Sequence, residues 1–182
     1  DQTALDRGLA VVRKNYERSA SRGSIPAAAV EERMALITGS TDKADFADCD
    51  WVIEAIFEDL KAKRELFANL EAVAKPGAVL ASNTSSLKLA DIAANFKDPS
   101  RLVGIHFFNP VPQMMLVEII SSDRTRKEFA DHAMAFVRQI DKLPLPVKDS
   151  PGFLVNRVLG PYMQNAFRLL DEGVKPETID RA

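Results

Sequence analysis

Short apolar runs alternate with helix-compatible segments along most of this chain, and that alternation constrains its fold more than any single residue does. Trp51-Val52-Ile53-Glu54-Ala55-Ile56 has the length and character of a strand, and Leu60 to Ala74 follows as a helix that Pro76-Gly77 ends. The order then repeats, with a strand at Ala78 to Ser82, a helix near Leu89 to Ala94 and a strand at Leu102 to Phe107. Strands joined through helices are parallel, because a tight turn cannot connect parallel neighbours. Upstream, Leu5, Leu9, Val12 and Tyr16 recur at helical spacing and predict a helix from Ala4 to about Ser21, with a second helix after Pro26. Downstream come the apolar run Leu116 to Ile120, a helix over Arg124 to Ile140 with Phe129, Ala133, Phe136, Val137 and Ile140 on one stripe, and a short strand at Leu145 to Val147. From Gly152 the character shifts: Phe153 to Leu170 is apolar and helix-compatible, with Pro161 expected to kink it. The reading is an α/β domain over residues 1–148, built on a doubly wound parallel sheet, followed over 149–182 by the start of an all-α domain.

Several function classes fall away on composition. A net charge of -2, with no basic run, leaves nothing to neutralise a phosphate backbone and argues against nucleic acid as a partner. Cys49 is the only cysteine, so no internal disulfide forms and a reducing compartment is the simplest reading. No apolar run approaches the roughly 20 residues of a membrane span, and no signal-peptide pattern opens the chain. A cytoplasmic protein is expected. The chain opens at Asp1 without Met and stops where a helix is starting, at Pro176 to Ala182, so both ends are expected to be cut from something longer.

Ligands of open parallel sheets bind at the carboxyl ends of the strands, so the residues that follow each strand carry the functional question. Strand 51–56 runs into Glu58, strand 78–82 into Asn83-Thr84-Ser85-Ser86, and strand 102–107 carries His106 and runs into Asn109-Pro110. In a parallel sheet these groups share one edge. Of the two histidines, His132 lies mid-helix and reads as a surface or boundary residue, whereas His106 ends a strand. Glu118 sits inside the apolar run Leu116-Val117-Glu118-Ile119-Ile120, where a carboxylate is costly to bury without a partner. A carboxylate that orients an imidazole makes a general acid/base pair. From these residues alone a second reading stands beside it: a satisfied core histidine, with Glu118 paired to an arginine.

Ser82-Asn83-Thr84-Ser85-Ser86, His106-Phe107-Phe108-Asn109-Pro110, Leu116-Val117-Glu118-Ile119-Ile120 and Asp149-Ser150-Pro151-Gly152-Phe153-Leu154-Val155-Asn156-Arg157 occur in this order, and together they resemble the L-3-hydroxyacyl-CoA dehydrogenase family. Arg13-Lys14-Asn15-Tyr16-Glu17, the run Asn156 to Tyr162 and Leu169-Leu170-Asp171-Glu172-Gly173 resemble the dehydrogenase part of multifunctional β-oxidation proteins more than the stand-alone enzymes. The resemblance implies NAD-dependent oxidation of an L-3-hydroxyacyl-CoA to the 3-ketoacyl-CoA in fatty-acid β-oxidation. It implies His106 as the base, Glu118 as its acidic partner, and Ser85 and Asn156 as groups that hold the substrate oxygen. For NAD it implies Ala55, Ile56, Phe57 and Glu58 beside the ribose of the nicotinamide half, Lys63 as a further contact, and Asn109 at the nicotinamide amide. No metal is implied, and the expected partners are an acyl-CoA and either a second copy or a larger multifunctional chain.

Bland roles compete with some of these: Ser85 or Ser86 as a helix cap, Asn156 bonded to backbone, Glu58 and Lys63 as solvated charges. The pattern also departs from the family, because no two of the eight glycines are two apart and the Gly-x-Gly-x-x-Gly turn for the pyrophosphate is absent. The expectation is therefore a partial Rossmann-like sheet lacking its first β-α-β, with little NAD binding or activity by these residues alone. Two rival readings remain: a hydrolase using Ser85, His106 and Glu118, disfavoured because no glycine flanks the serine, and a non-enzymatic member of the fold.

Overall fold

The computed structural model describes residues 1–181, which fall into two compact units, Asp1–Ala47 and the residues from Asp48 onward. In the first unit, helix α1 (Gln2–Ser21) is opened by the Asp1 side chain, which accepts from the Ala4 amide at 2.8 Å. Arg13 of α1 pairs with Glu31 of helix α2 (Ala28–Met34), and the Arg33 guanidinium lies 5.5 Å over the Tyr16 ring. A 3-10 turn at Lys43–Phe46 follows, in a stretch that the sequence marks only as polar.

The second unit holds a five-stranded sheet in the order β1 (Trp51–Glu54), β2 (Val79–Ser82), β3 (Leu102–Phe107), β4 (Leu116–Ser121), β5 (Leu143–Lys148). Helices α3 (Leu60–Val73) and α4 (Leu89–Ile92) connect the first three strands, which are parallel as the alternation predicts. This is a Rossmann-like α/β unit. Strand β4 departs from the parallel expectation and runs antiparallel to β3. Only residues 108–115 separate the two strands, too short a connection for a crossover helix, so the chain turns back instead. Helix α5 (Lys127–Gln139) then returns the chain to β5, parallel to β4. Pro144 and Pro146 fit β5 because an edge strand has a row of amides that need no partner.

Both faces of the sheet are covered, which is why its central strands read as unbroken apolar runs. Leu80, Leu102 and Ile120 pack with Phe67, Leu89, Ile92 and Phe153 on one face, while Val79, Val103, Ile105, Val117 and Ile119 pack with Phe129, Ala133 and Val137 of α5 on the other. By the two-residue alternation of strands, His106 and Glu118 share the first face with Leu102 and Ile120. Helices α6 (Val155–Asp171), which contains Pro161, and α7 (Pro176–Ile179) follow the sheet, and no helix among the described residues is long and apolar enough to cross a membrane.

The close approach of β3 and β4 depends on Gly104, whose register partner is Ile120. A methyl added there would lie 2.7 Å from Ile120 Cβ, an atom fixed to the backbone of a buried strand. Gly104→Ala is expected to destabilise the protein by about 1–3 kcal/mol through overpacking, seen as a lower urea midpoint at unchanged slope. A wild-type midpoint would show that the two strands can separate without cost.

Candidate active site

The carboxyl ends of β1, β2 and β3 lie along one edge, as the register of Glu54 with Ser82 and of Ser82 with Gly104 requires. Side chains tie these ends together. Asn83, just past β2, accepts from the Phe107 amide at 2.9 Å through Oδ1, while its own amide donates to the Glu54 carbonyl at 2.8 Å. The loops after the strands are thereby set in fixed relation before any ligand arrives.

His106 and Glu118 are register partners on β3 and β4, and their side chains meet with His106 Nδ1 2.8 Å from Glu118 Oε2. Glu118 is fully buried, and its other oxygen accepts from the amides of Leu154 and Val155, each at 2.9 Å. Those amides open α6, so the carboxylate also gives that helix its anionic N-terminal partner. The turn that aims them is unusual, since Gly152 has φ 71° and Phe153 φ 50°, two successive left-handed residues of which only the glycine adopts that region readily. Phe153 is anchored by burial, and its ring lies 5.8 Å from that of His106, with Phe108 at 4.5 Å on the same imidazole. With Nδ1 held by the carboxylate, Nε2 is the nitrogen left for a ligand.

Ser85 is exposed in the loop after β2, and its position is set from two sides. The Asn156 side-chain amide donates to the Ser85 carbonyl at 3.2 Å, and the Ser85 amide donates to Glu58 Oε1 at 2.8 Å. The same Glu58 oxygen accepts from the Thr84 hydroxyl at 2.6 Å and the Ser86 amide at 3.1 Å, so Glu58 is engaged within the protein and is not a solvated surface charge. Burial disfavours its charge, but the Thr84 hydroxyl, the Ser85 amide and the Lys63 ammonium outweigh this and bring the carboxyl down to about 2. The Ser85 hydroxyl also lies 3.3 Å from Glu58, and no hydrogen bond between it and His106 occurs among the described residues, which leaves a serine–histidine relay without its first link.

The other expected residues are placed as follows. Ala55, Ile56 and Phe57 form the exposed loop after β1, and Asn109 is exposed beyond β3, joined to Pro110 by a cis peptide bond. Lys63 is 1% exposed, and its ammonium meets Glu54 at 2.6 Å, the Ile56 carbonyl at 3.3 Å and Glu58 at 3.4 Å. Glu54, which sequence reasoning passed over as part of a strand, is the buried centre of this group; the one available signal was a carboxylate inside an apolar run, the same signal that singled out Glu118. His132 is exposed on α5, as expected.

A family model described as 3-hydroxyacyl-CoA dehydrogenase, NAD binding domain, matches residues 1–150, and one described as 3-hydroxyacyl-CoA dehydrogenase, C-terminal domain, matches residues 152–182. The chain belongs to the 3-hydroxyacyl-CoA dehydrogenase family. A 3-hydroxybutyryl-CoA dehydrogenase of Clostridioides difficile is 39% identical over 182 residues, all of this chain and 65% of that protein. The crystal structure of the (S)-3-hydroxybutyryl-CoA dehydrogenase of Ralstonia eutropha superposes with a TM-score of 0.94 at 36% identity, covering 98% of this chain and 63% of that one. The dehydrogenase part of a multifunctional enzyme from C. elegans gives a TM-score of 0.74 at 36% identity, covering 91% and 38%. The chain thus spans somewhat under two thirds of the length of the first two relatives.

The low-lying carboxyl of Glu58 links this family member's site to pH. A folded value of about 2, below the ordinary 4.5, means that the ionised group contributes stability fully above about pH 4.5 and loses it as the pH falls towards 2. The stability advantage of wild type over Glu58→Gln is expected to be constant from neutrality to about pH 5 and to shrink below it, measured by urea unfolding at stepped pH. An advantage that does not change between pH 5 and 3 would refute this account of the carboxylate.

Proposed function

We propose that the protein is an NAD-dependent dehydrogenase of L-3-hydroxyacyl-CoA, acting in fatty-acid β-oxidation, with His106 as general acid/base. The observation that carries this reading is the orientation of one imidazole at a strand end: Nδ1 is taken by a fully buried carboxylate, and Nε2 is left for substrate. We take residues 1–148 as the nucleotide-binding domain and 149–182 as belonging to the helical domain.

The residues present fit the nicotinamide half of the dinucleotide. Glu58 remains charged throughout the physiological range and, with Oε2 directed at Lys63 at a loose 3.4 Å, keeps acceptor capacity for a ribose hydroxyl. The backbone of Ala55, Ile56 and Phe57 lies exposed beside it, and Asn109 offers both a donor and an acceptor, the pair that a carboxamide needs. Bound NAD would supply the hydride acceptor for C3 of the substrate. The chain's own part is proton transfer: His106 Nε2 takes the hydroxyl proton as the C3–O bond becomes a carbonyl, and Glu118 stabilises the imidazolium. In the reverse direction the same nitrogen returns the proton. Ser85 and Asn156, joined through the Ser85 carbonyl, would hold the reacting oxygen in line with Nε2.

In the full-length gene product, His106→Gln is expected to lower kcat by about two to four orders of magnitude while leaving the Kd for NADH unchanged. Retained turnover would remove His106 from the mechanism. Glu118→Gln keeps the shape but not the charge, so kcat should fall about tenfold or more, with the larger part of the loss in kcat rather than in KM. An effect confined to KM would assign Glu118 to substrate binding instead.

A further inference from the structure

The connection between β3 and β4, residues 108–115, has few means of holding its own shape. Pro110 and Pro112 have no amide hydrogen, the Gln113 and Met114 amides both donate to the one Pro110 carbonyl, at 2.9 and 3.0 Å, and Val111, Met114 and Met115 lie exposed. No backbone amide among the described residues donates to the Val111 or the Met114 carbonyl. One side chain from the far edge of the sheet takes both: Lys142 Nζ donates to the Val111 carbonyl at 2.6 Å and to the Met114 carbonyl at 2.8 Å. Two donations from one ammonium to carbonyls three residues apart hold the connection like a staple.

Lys142 is itself firmly placed. It follows α5, whose end is closed by the Lys142 amide on the Val137 carbonyl and the Asp141 amide on the Arg138 carbonyl, each at 3.0 Å. These are the two bonds of a Schellman cap, and Asp141, at φ 57°, supplies its left-handed residue. Val137 is buried with Phe129 and Ala133 under the second face of the sheet, and on the other side of Lys142 the Leu143 amide donates to the Met115 carbonyl at 2.8 Å. The ammonium is therefore presented from a helix end anchored in the core.

The connection held in this way begins with Phe108, whose ring lies 4.5 Å from the His106 imidazole. Glu118 fixes one nitrogen of that imidazole, and the rings of Phe108 and Phe153 are the aromatic walls beside it. Lys142 is remote from all of this. His106 pairs with Glu118 and Glu118 with Leu145, so the Lys142 backbone lies two strands across and three residues along, about 10 Å in each direction.

We infer that Lys142 is a positioning residue: by stapling the β3–β4 connection from the end of α5, it keeps Phe108 against the His106 ring, and it touches neither substrate nor cofactor. Its kinetic consequence rests on the acid/base role of His106 proposed above, whereas the staple itself does not.

The test uses the full-length gene product and two readouts. In Lys142→Met, hydrogen exchange followed by mass spectrometry should show the amides of residues 111–115 exchanging about tenfold or more faster than in wild type, with the amides of residues 129–137 in α5 unchanged. Wild-type protection of residues 111–115 would overturn the inference at its first step. The same variant should lose about fivefold or more in kcat for a 3-hydroxyacyl-CoA, with a smaller change in KM. A loosened connection with wild-type kcat would make Lys142 structural only and overturn the inference. Because the effect is argued to pass through Phe108, Lys142→Met should cost nothing further in kcat when added to Phe108→Ala, and fully additive losses would overturn that route. Phe108→Leu replaces Phe108→Ala in the cycle if the latter does not fold. A wild-type protein that oxidises no 3-hydroxyacyl-CoA would instead refute the proposed function, and the exchange measurement would still decide the staple.

Discussion

The carboxylate of Glu118 is the point on which the rest of the site depends. It is a fully buried charge with two oxygens, and each oxygen has a separate duty: Oε2 fixes the His106 ring, and Oε1 receives the first amides of α6. Neither duty is dispensable, because a buried ion with an unmet oxygen would carry a desolvation cost of several kcal/mol. The consequence is that His106 and the start of the helix cannot be placed independently. Asn156, one residue beyond the second amide, falls beside the Ser85 loop for the same reason. The left-handed pair Gly152 and Phe153 is the backbone conformation that this arrangement requires, and the buried ring of Phe153 against His106 helps to hold it.

The same device recurs away from His106. Glu58 takes the successive amides of Ser85 and Ser86, Asp149 those of Leu89 and Ala90, and Glu71 those of Lys97 and Asp98. In each case amides in a connection, or in the first turn of a helix as in α4, have no ladder or helix partner, and an acidic side chain distant in sequence accepts from them. Charge-assisted bonds of this kind are roughly twice as strong as neutral ones. They let loops at the strand ends be fixed without being buried, which a site open to substrate needs. Asp149 couples the last connection of the sheet to α4 in this way, so the segment that leads into α6 is tied back to the first face before it reaches Glu118.

What could be read from the sequence was whatever is periodic or locally anomalous. The parallel β1–β3 order follows from strand-length runs separated by helical ones, and His106 and Glu118 stood out because each is a polar group where its neighbours are apolar. The direction of β4 was not legible from the runs themselves; it depends on the length of the 108–115 connection, which carries no hydrophobic signal. The long-range acceptors Glu71 and Asp149 were invisible for another reason: a surface acid and an acid that closes a loop have the same local sequence. Lys63 shows the limit most clearly, since a lysine on a polar helix start gives no sign that its ammonium is 1% exposed.

Glu54 and Glu118 invite comparison because each is a buried acid in a strand, yet their partners differ in kind. Glu54 faces a lysine ammonium and a serine hydroxyl, groups that only donate to it here. Glu118 faces an imidazole, whose second nitrogen can accept or donate a proton while the first stays on the carboxylate. Under the function proposed above, the first arrangement suits a framework that holds a loop and the second suits a group that would carry a proton. Lysine opposite Glu118 would neutralise the carboxylate as well but could not accept a proton at neutral pH. Histidine opposite Glu54 would leave the Ile56 carbonyl and Glu58 without a donor as its charge varied. The two pairs are therefore not interchangeable, and the sheet separates them by placing one between β1 and α3 and the other between β3 and β4.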